Sequence, residues 1–149
     1  MTLSAKFIAA SRMSKYSSHD DYSDEATGVL KNRFGIAGQA ALDELEAGLV
    51  FTRATDLSER LIPGQFDLAH LQAIHRHLFG DIYDWAGQLR HGDISKGDSR
   101  FAHHAYIGSE AAKLFEKLVH EHNLKDLDPT AALDRAREMH VDPGRHVCV

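Results

Sequence analysis

The sequence predicts an all-α fold, a small helical bundle with one β-hairpin flap at its rim. Apolar residues recur at helical spacing in several segments, and Gly- or Pro-containing turns separate these segments. Residues 93–101 break this pattern with apolar ends and a polar, Gly-containing middle, which is typical of a hairpin. The 149 residues fit one ordinary domain, and no repeat or linker divides them. We therefore expect a single domain over residues 1–149.

The chain is expected to begin with an irregular arm over residues 1–28, because residues 14–28 are polar and acidic with few aliphatic side chains. An amphipathic helix is predicted from Gly38 to about Arg53, with a separate turn at residues 54–60. Its apolar positions are Leu42, Leu45, Leu49 and Val50, and its acidic positions, expected to face solvent, are Asp43, Glu44 and Glu46.

A second helix is predicted over residues 68–79. Asp67 stands at the N-cap position and Gly80 at the stop position. The apolar stripe consists of Leu71, Ile74 and Leu78. The histidines of this segment lack a His-Glu-x-x-His pattern and a cysteine partner, so we interpret them as structural and predict no metal site. They are His70, His75 and His77.

The next segment places large side chains at Ile82, Tyr83 and Trp85, which predicts a short helix wedged into the interior and ended by Gly87. We assign Arg90 a structural role, as the partner of a buried acid or as a helix cap. The predicted hairpin at residues 93–101 follows. By itself it is compatible with an ordinary solvated hairpin or with an edge that binds a partner.

Helices are also predicted from Tyr106 to His122 and from Pro129 to about Val141. The inner face of the first should consist of Ala112, Phe115, Leu118 and Val119. Pro129 after Asp128 is a favourable cap-and-start pair, and Pro143-Gly144 should end the last helix. We interpret His103, His104, His120 and His122 as surface or capping residues.

Composition excludes several function classes. A net charge of −5 and a pI near 6.1 give no electrostatic support for binding nucleic acid or a membrane surface. No apolar run approaches the length of a membrane span, about 18 residues. The single cysteine, Cys148, excludes an internal disulfide framework and is typical of a reducing compartment. We therefore expect a cytoplasmic protein.

Several runs of residues together resemble Fic domains. They are Ile74-His75 with Leu78-Phe79, Ile82-Tyr83-Asp84-Trp85-Ala86-Gly87 with Arg90, Asp93-Ile94-Ser95-Lys96-Gly97, and Phe101-Ala102. An upstream run resembles the opening of bacterial Fic toxins that a small separate antitoxin holds inactive. It is Tyr22-x-Asp24-x-x-Thr27-Gly28-Val29-Leu30-Lys31-Asn32 with Gly35-Ile36.

This resemblance implies a protein adenylyltransferase, which transfers AMP from ATP to a Ser, Thr or Tyr hydroxyl of a target protein with the help of Mg²⁺. It implies two partners, the target protein and a small antitoxin. It also implies that the hairpin is a flap that pairs with the main chain of the target by strand addition. The flap positions are Ile94, Ser95, Lys96, Gly97 and Phe101.

The resemblance stops before the catalytic loop of the family, His-Pro-Phe-x-x-Gly-Asn-Gly-Arg. Glu138 and Met139 still match, His140 takes the usual Asn position, and residues 142–149 are a tail unlike the family. We therefore assign no catalytic, nucleotide-binding or metal residue. His140 remains as a candidate base and Arg145 as a candidate nucleotide contact. We expect a chain that is truncated or frameshifted before the loop and inactive in AMP transfer; the alternative is a non-catalytic module that binds an antitoxin or target.

Overall fold

The computed structural model describes residues 22–93, 95–96, 99–100 and 103–140. The helices in this part of the chain are α1 (Gln39–Glu59), α2 (Leu68–Phe79), α3 (Ile107–His120) and α4 (Pro129–His140). Short 3₁₀ turns at His104–Tyr106 and His122–Leu124 precede and follow α3, and the strands are β1 (Ser95–Lys96) and β2 (Ser99–Arg100). The predicted helical class is confirmed. Within the described ranges, no helix is both long and apolar enough to cross a membrane.

The N-terminal segment folds around one aspartate. Asp24 Oδ1 accepts hydrogen bonds from the backbone N–H and the hydroxyl of Thr27, both at 2.9 Å. These bonds lower the pKa of Asp24 because they favour the carboxylate. A β-bridge between Ser23 and Leu30 closes the turn. Residues 22–28 contain no helix and are held by specific contacts. Residues 1–21 lie outside the described residues, so the irregular arm over residues 1–28 stays a prediction.

Helix α1 is longer than predicted, and the separate turn expected at residues 54–60 is wrong. The helix continues to Glu59 and ends at Arg60, whose N–H donates to Asp56 O at 2.8 Å. Thr52 and Thr55 donate their hydroxyl groups to the carbonyls of Gly48 and Phe51, one turn earlier. The polar side chains that suggested a turn are thus satisfied inside the helix.

Helix α2 begins and ends where the sequence predicts. The N–H of His70 donates to Asp67 Oδ1 at 2.9 Å, which is an N-cap, and the N–H of Gly80 donates to Arg76 O at 2.8 Å. The following aromatic segment is buried as predicted, but its short helix is wrong. Residues 80–89 form successive turns, in which the N–H groups of Ile82 and Tyr83 both donate to Phe79 O.

The core gathers where α1, the N-terminal segment and the aromatic turns meet. Its buried members are Val29, Leu42, Ile82, Tyr83 and Ala86. Partly buried side chains pack around them, namely Leu30, Ile36, Leu49, Val50, Phe79 and Trp85. This arrangement places the aromatic turns in the centre of the domain, so the segment that follows them leaves from a fixed position.

The later helices are present, and half of the predicted inner face of α3 is correct: Phe115 and Leu118 are partly buried, but Ala112 and Val119 are not. Ile107 and Ala111 are completely buried, whereas Ala112 is exposed and Val119 is 58% exposed. Ile107 is the first residue of the helix, and the completely buried positions are Ile107 and Ala111, one turn apart. Helix α4 starts as predicted, because Asp128 Oδ1 accepts hydrogen bonds from the N–H groups of the first turn.

Candidate functional site

The aromatic turns connect α1 to the rim of the domain. Tyr83, 2% exposed, donates its hydroxyl to Glu46 Oε2 at 2.6 Å. The Trp85 ring stacks on Tyr83, with centroids 4.6 Å apart and planes at 21°. Tyr22 meets the Trp85 ring edge-on at 5.7 Å. These contacts join residues 80–90 to α1 and to the N-terminal segment, and large aromatic side chains are well suited to this role.

The histidines of α2 bind backbone atoms. His75 Nδ1 accepts the N–H of Gly87 at 2.9 Å, and burial lowers the pKa of the His75 ring. His70 Nε2 lies 2.9 Å from Ile62 O, and His77 Nε2 lies 3.1 Å from Arg53 O. Each ring joins α2 to a neighbouring segment, which is the structural role that we inferred from the sequence.

A group of polar side chains lies where the chain leaves the aromatic turns. Arg90 is buried, at 8% exposure, and donates from Nη1 to Gly92 O at 2.7 Å. Asp93 Oδ1 accepts the backbone N–H of His104 at 2.8 Å and contacts His104 Nδ1 at 2.9 Å. Asp93 Oδ2 lies 3.2 Å from His103 Nε2. Hydrogen bonds from His104 hold the pKa of Asp93 below its usual value.

This Asp93–His103–His104 cluster was not predicted as a unit. The sequence placed both histidines at the surface and gave Asp93 no role. The signal that would have found the cluster is the hairpin itself. If residues 95–100 pair antiparallel, the chain before and after them must return to the same place, which brings residues 93 and 103 together.

The predicted target-docking segment starts and ends beside the Asp93–His103–His104 cluster. Strand β1 pairs antiparallel with β2, Ser95 opposite Arg100 and Lys96 opposite Ser99. Of the predicted docking residues, Ser95 and Lys96 form β1. Ile94, Gly97 and Phe101 lie outside the described residues, as does Arg145. The docking role of the segment stays a prediction, while the paired strands lie where the hairpin was expected.

In the family that the sequence resembles, the catalytic loop follows the helix that corresponds to α4. His140 is the last residue of α4. Arg135 donates from Nε and Nη2 to Glu121, at 2.8 and 2.5 Å, and from Nη1 to Glu138 at 3.0 Å. Its charge is thus matched by carboxylates, and these bonds raise the pKa of Arg135 and lower that of Glu121.

A magnesium–nucleotide group does not fit the residues that the structure describes at the end of α4. Phosphates need unpaired cationic donors or a nest of N–H groups, whereas Arg135 is already occupied by carboxylates. The sequence after His140 lacks the Gly-Asn-Gly run that forms such a nest in the resemblance. No step of nucleotide chemistry follows from the described residues.

Comparison with known proteins assigns the family. Residues 65–141 match the model of the Fic/DOC family. The chain is 42% identical over 125 residues to the protein adenylyltransferase VbhT of Bartonella schoenbuchensis, covering 83% of this chain and 26% of that protein. It is 37% identical over 116 residues to the probable protein adenylyltransferase Fic of Escherichia coli K12, covering 78% of this chain and 57% of the relative. The chain thus spans between about a quarter and just over half of these relatives.

Solved structures show the same fold. The BepC protein of Bartonella tribocorum with bound AMPPNP superposes with a TM-score of 0.71 at 26% identity, over 80% of this chain and 64% of BepC. The N-terminal Fic domain of a cell filamentation protein from Bartonella quintana, with bound ADP, gives a TM-score of 0.66 at 28% identity, over 79% and 62% of the two chains. Family model, relatives and fold agree, and the chain belongs to the Fic/DOC family.

Proposed function

We propose that this chain is the scaffold and target-docking part of a Fic-type protein adenylyltransferase. The reaction is transfer of AMP from ATP to a Ser, Thr or Tyr hydroxyl of a target protein. The observation that carries the proposal is the family match over residues 65–141, which includes the aromatic turns, the paired strands and α4. Relatives named protein adenylyltransferases and neighbours with bound ADP or AMPPNP support the same reaction.

The role of β1 and β2 is to hold the target. The sheet contains two strands, so each strand has an outer edge with backbone groups directed away from its partner. An extended target segment that adds to such an edge gains main-chain hydrogen bonds, while neighbouring apolar side chains select it. Ile94 and Phe101 flank the strands in sequence and supply that apolar contact.

Residues 1–149 alone do not catalyse the transfer. They contain no His-Pro-Phe and no Gly-Asn-Gly run, and a lone His140 or Arg145 does not replace a preorganised phosphate site. The partners are a target protein and, as in the toxins that the sequence resembles, a small antitoxin; the compartment is the cytoplasm. The occupied guanidinium of Arg135 favours a second candidate, a module that binds an antitoxin or target without chemistry.

The experiment compares the chain with a second chain that carries a family-type catalytic loop and the following helices after Val141. Both are incubated with MgATP and cell extract, and mass spectrometry detects AMP on Ser, Thr or Tyr side chains. AMP transfer by the extended chain alone supports the proposal. Transfer by residues 1–149, abolished in the His140→Ala variant, would show that His140 is catalytic and that the assignment of a non-catalytic scaffold is wrong.

A further inference from the structure

We propose that Asp93, His103 and His104 form a binding site for Zn²⁺, with water completing the coordination. Each residue offers one ligand atom, and these atoms lie within 4.8 Å of one another. In a tetrahedral zinc site with bonds of about 2.0–2.1 Å, ligand atoms lie roughly 3.3 Å apart. Side-chain rotations that move the ligand atoms by a fraction of this distance therefore bring all of them to a common ion. This inference is independent of the proposed enzymatic function.

The rings are already directed at one carboxylate. His103 and His104 stack with centroids 4.4 Å apart and planes at 27°, so both present a nitrogen to Asp93 from the same side. The backbone N–H of His104 also donates to Asp93 Oδ1, which holds the carboxylate close to the two histidines. Such outer hydrogen bonds orient ligands and raise metal affinity.

The proton states allow metal binding without charging the rings. In the metal-free state a carboxylate only accepts, so His104 Nδ1 and His103 Nε2 carry the protons that face Asp93. Coordination moves each proton, through solvent, to the other nitrogen of the same neutral ring. The ion replaces the contacts of both rings with Asp93, and the hydrogen bond from the Ala105 N–H to His103 Nδ1 at 3.3 Å is also lost.

Charge and exposure select the type of ion. The Asp93, His103 and His104 side chains are 52%, 50% and 37% exposed, so an ion and its water ligand have access. Arg90 Nη1 lies 3.8 Å from Asp93 Oδ1, and its positive charge opposes a bound cation. Hard ions such as Mg²⁺ need several oxygen ligands, whereas Zn²⁺ binds imidazole strongly, so the site favours Zn²⁺.

A bound ion would join the two ends of the segment that carries β1 and β2. Asp93 precedes this segment and the histidines follow it, so coordination closes the loop of residues 94–102 at its base. Amide protons of the paired strands should then exchange more slowly when Zn²⁺ is present. The effect on exchange separates this site from zinc bound elsewhere in a chain with eleven histidines.

The test is calorimetric titration of the metal-free full chain with Zn²⁺. Asp93→Asn, His103→Gln and His104→Gln should each weaken one binding event by about tenfold or more, as loss of metal partners does. His122→Gln is the matched control, because His122 makes a comparable pair with Asp126, at 2.7 Å, without a third ligand from the part of the chain that the structure describes. It should leave that event unchanged. No Zn²⁺ binding, or equal loss in the control, would overturn the proposal.

A second measurement needs no variant and avoids any effect of substitution on folding. Cu²⁺, which also prefers imidazole, is added to the isotope-labelled wild-type chain as a paramagnetic probe. NMR signals of the amides of Asp93 and residues 103–105 should broaden before those of residues 122–126. Broadening that starts around His122, or at the Cys148 end, would place the strongest metal site elsewhere and contradict the proposal.

Discussion

The hydroxyl of Tyr83 donates a 2.6 Å hydrogen bond to Glu46 Oε2, which joins the buried aromatic turns to α1. Tyr83 is 2% exposed, so its hydroxyl has little access to water, and the carboxylate of Glu46 serves as its acceptor. The acidic face of α1, which the sequence assigned to solvent, thus supplies a contact that positions the candidate site.

The Tyr83→Phe substitution should lower the free energy of unfolding by about 1.5–3 kcal/mol, the usual contribution of a hydrogen bond to a charged group. Chemical denaturation measures this difference. Tyr106→Phe is the matched control, because Tyr106 is 62% exposed and should change stability by less than about 0.5 kcal/mol. Equal effects of the two substitutions would contradict the assigned role of the Tyr83 hydroxyl.

Gly87→Ala should destabilise the domain by more than about 1 kcal/mol. Gly87 has a φ of +77°, and an added Cβ would lie 2.6 Å from Gln72 O and 2.7 Å from Arg76 Cβ. Gly48→Ala should act in the opposite direction, because Gly48 lies within α1 and a Cβ there meets nothing within 4 Å. We expect it to stabilise by about 0.5–1 kcal/mol. Thermal unfolding of both variants measures the difference in sign.

The ion pair of Asp81 with Arg53 predicts a pH-dependent contribution to stability. Arg53 donates to Asp81 Oδ2 at 2.7 Å and holds the pKa of Asp81 below its ordinary value of 3.8. Because the folded-state pKa is depressed, the contribution is complete above pH 3.8 and is lost as the pH falls through the lower, folded value. Wild type should therefore be more stable than Asp81→Asn at neutral pH, and the difference should disappear in acid.

Urea unfolding at stepwise lower pH measures this difference. Asp84→Asn is the control, because the Asp84–Arg33 pair has side chains that are 87% and 54% exposed and should contribute little at any pH. A stability difference for Asp81→Asn that persists unchanged in acid would mean that the ion pair is not its cause.

The docking role predicts different effects on the rate of target modification and on the binding of ATP. In a chain that carries a complete catalytic loop, Ile94→Asp or Phe101→Asp should slow modification of the target and leave ATP binding nearly unchanged, because a buried charge weakens only the target contact. Val119→Asp, at a 58% exposed position on α3, is the control and should change neither. Full rates in the Ile94 and Phe101 variants would exclude these residues from docking.

The sequence predicted well those features that are decided by local chemistry. Asp67 and Gly80 mark the ends of α2, and Asp128 marks the start of α4, because capping depends on the residue and its neighbours in the chain. Predictions of which face of a helix is buried were less accurate. The completely buried positions of α3 are Ile107 and Ala111, and their burial depends on the packing of other elements.

Contacts between distant residues could not be predicted from periodicity. The Tyr83–Glu46 bond joins residues 37 positions apart, and the Asp93–His104 contact depends on the return of the chain after the paired strands. Assignment of the family depended on the aromatic run and its neighbours, which the family model also matches. The site residues beyond His140 were inferred from that resemblance alone.

Binding of MgATP tests the central claim most directly, that residues 1–149 form a Fic scaffold without the nucleotide site. Calorimetry compares these residues with the chain extended by a family-type loop and its following helices. We predict saturable MgATP binding by the extended chain and none by residues 1–149, whose Arg135 is bonded to carboxylates. Saturable binding of MgATP by residues 1–149 would contradict this account.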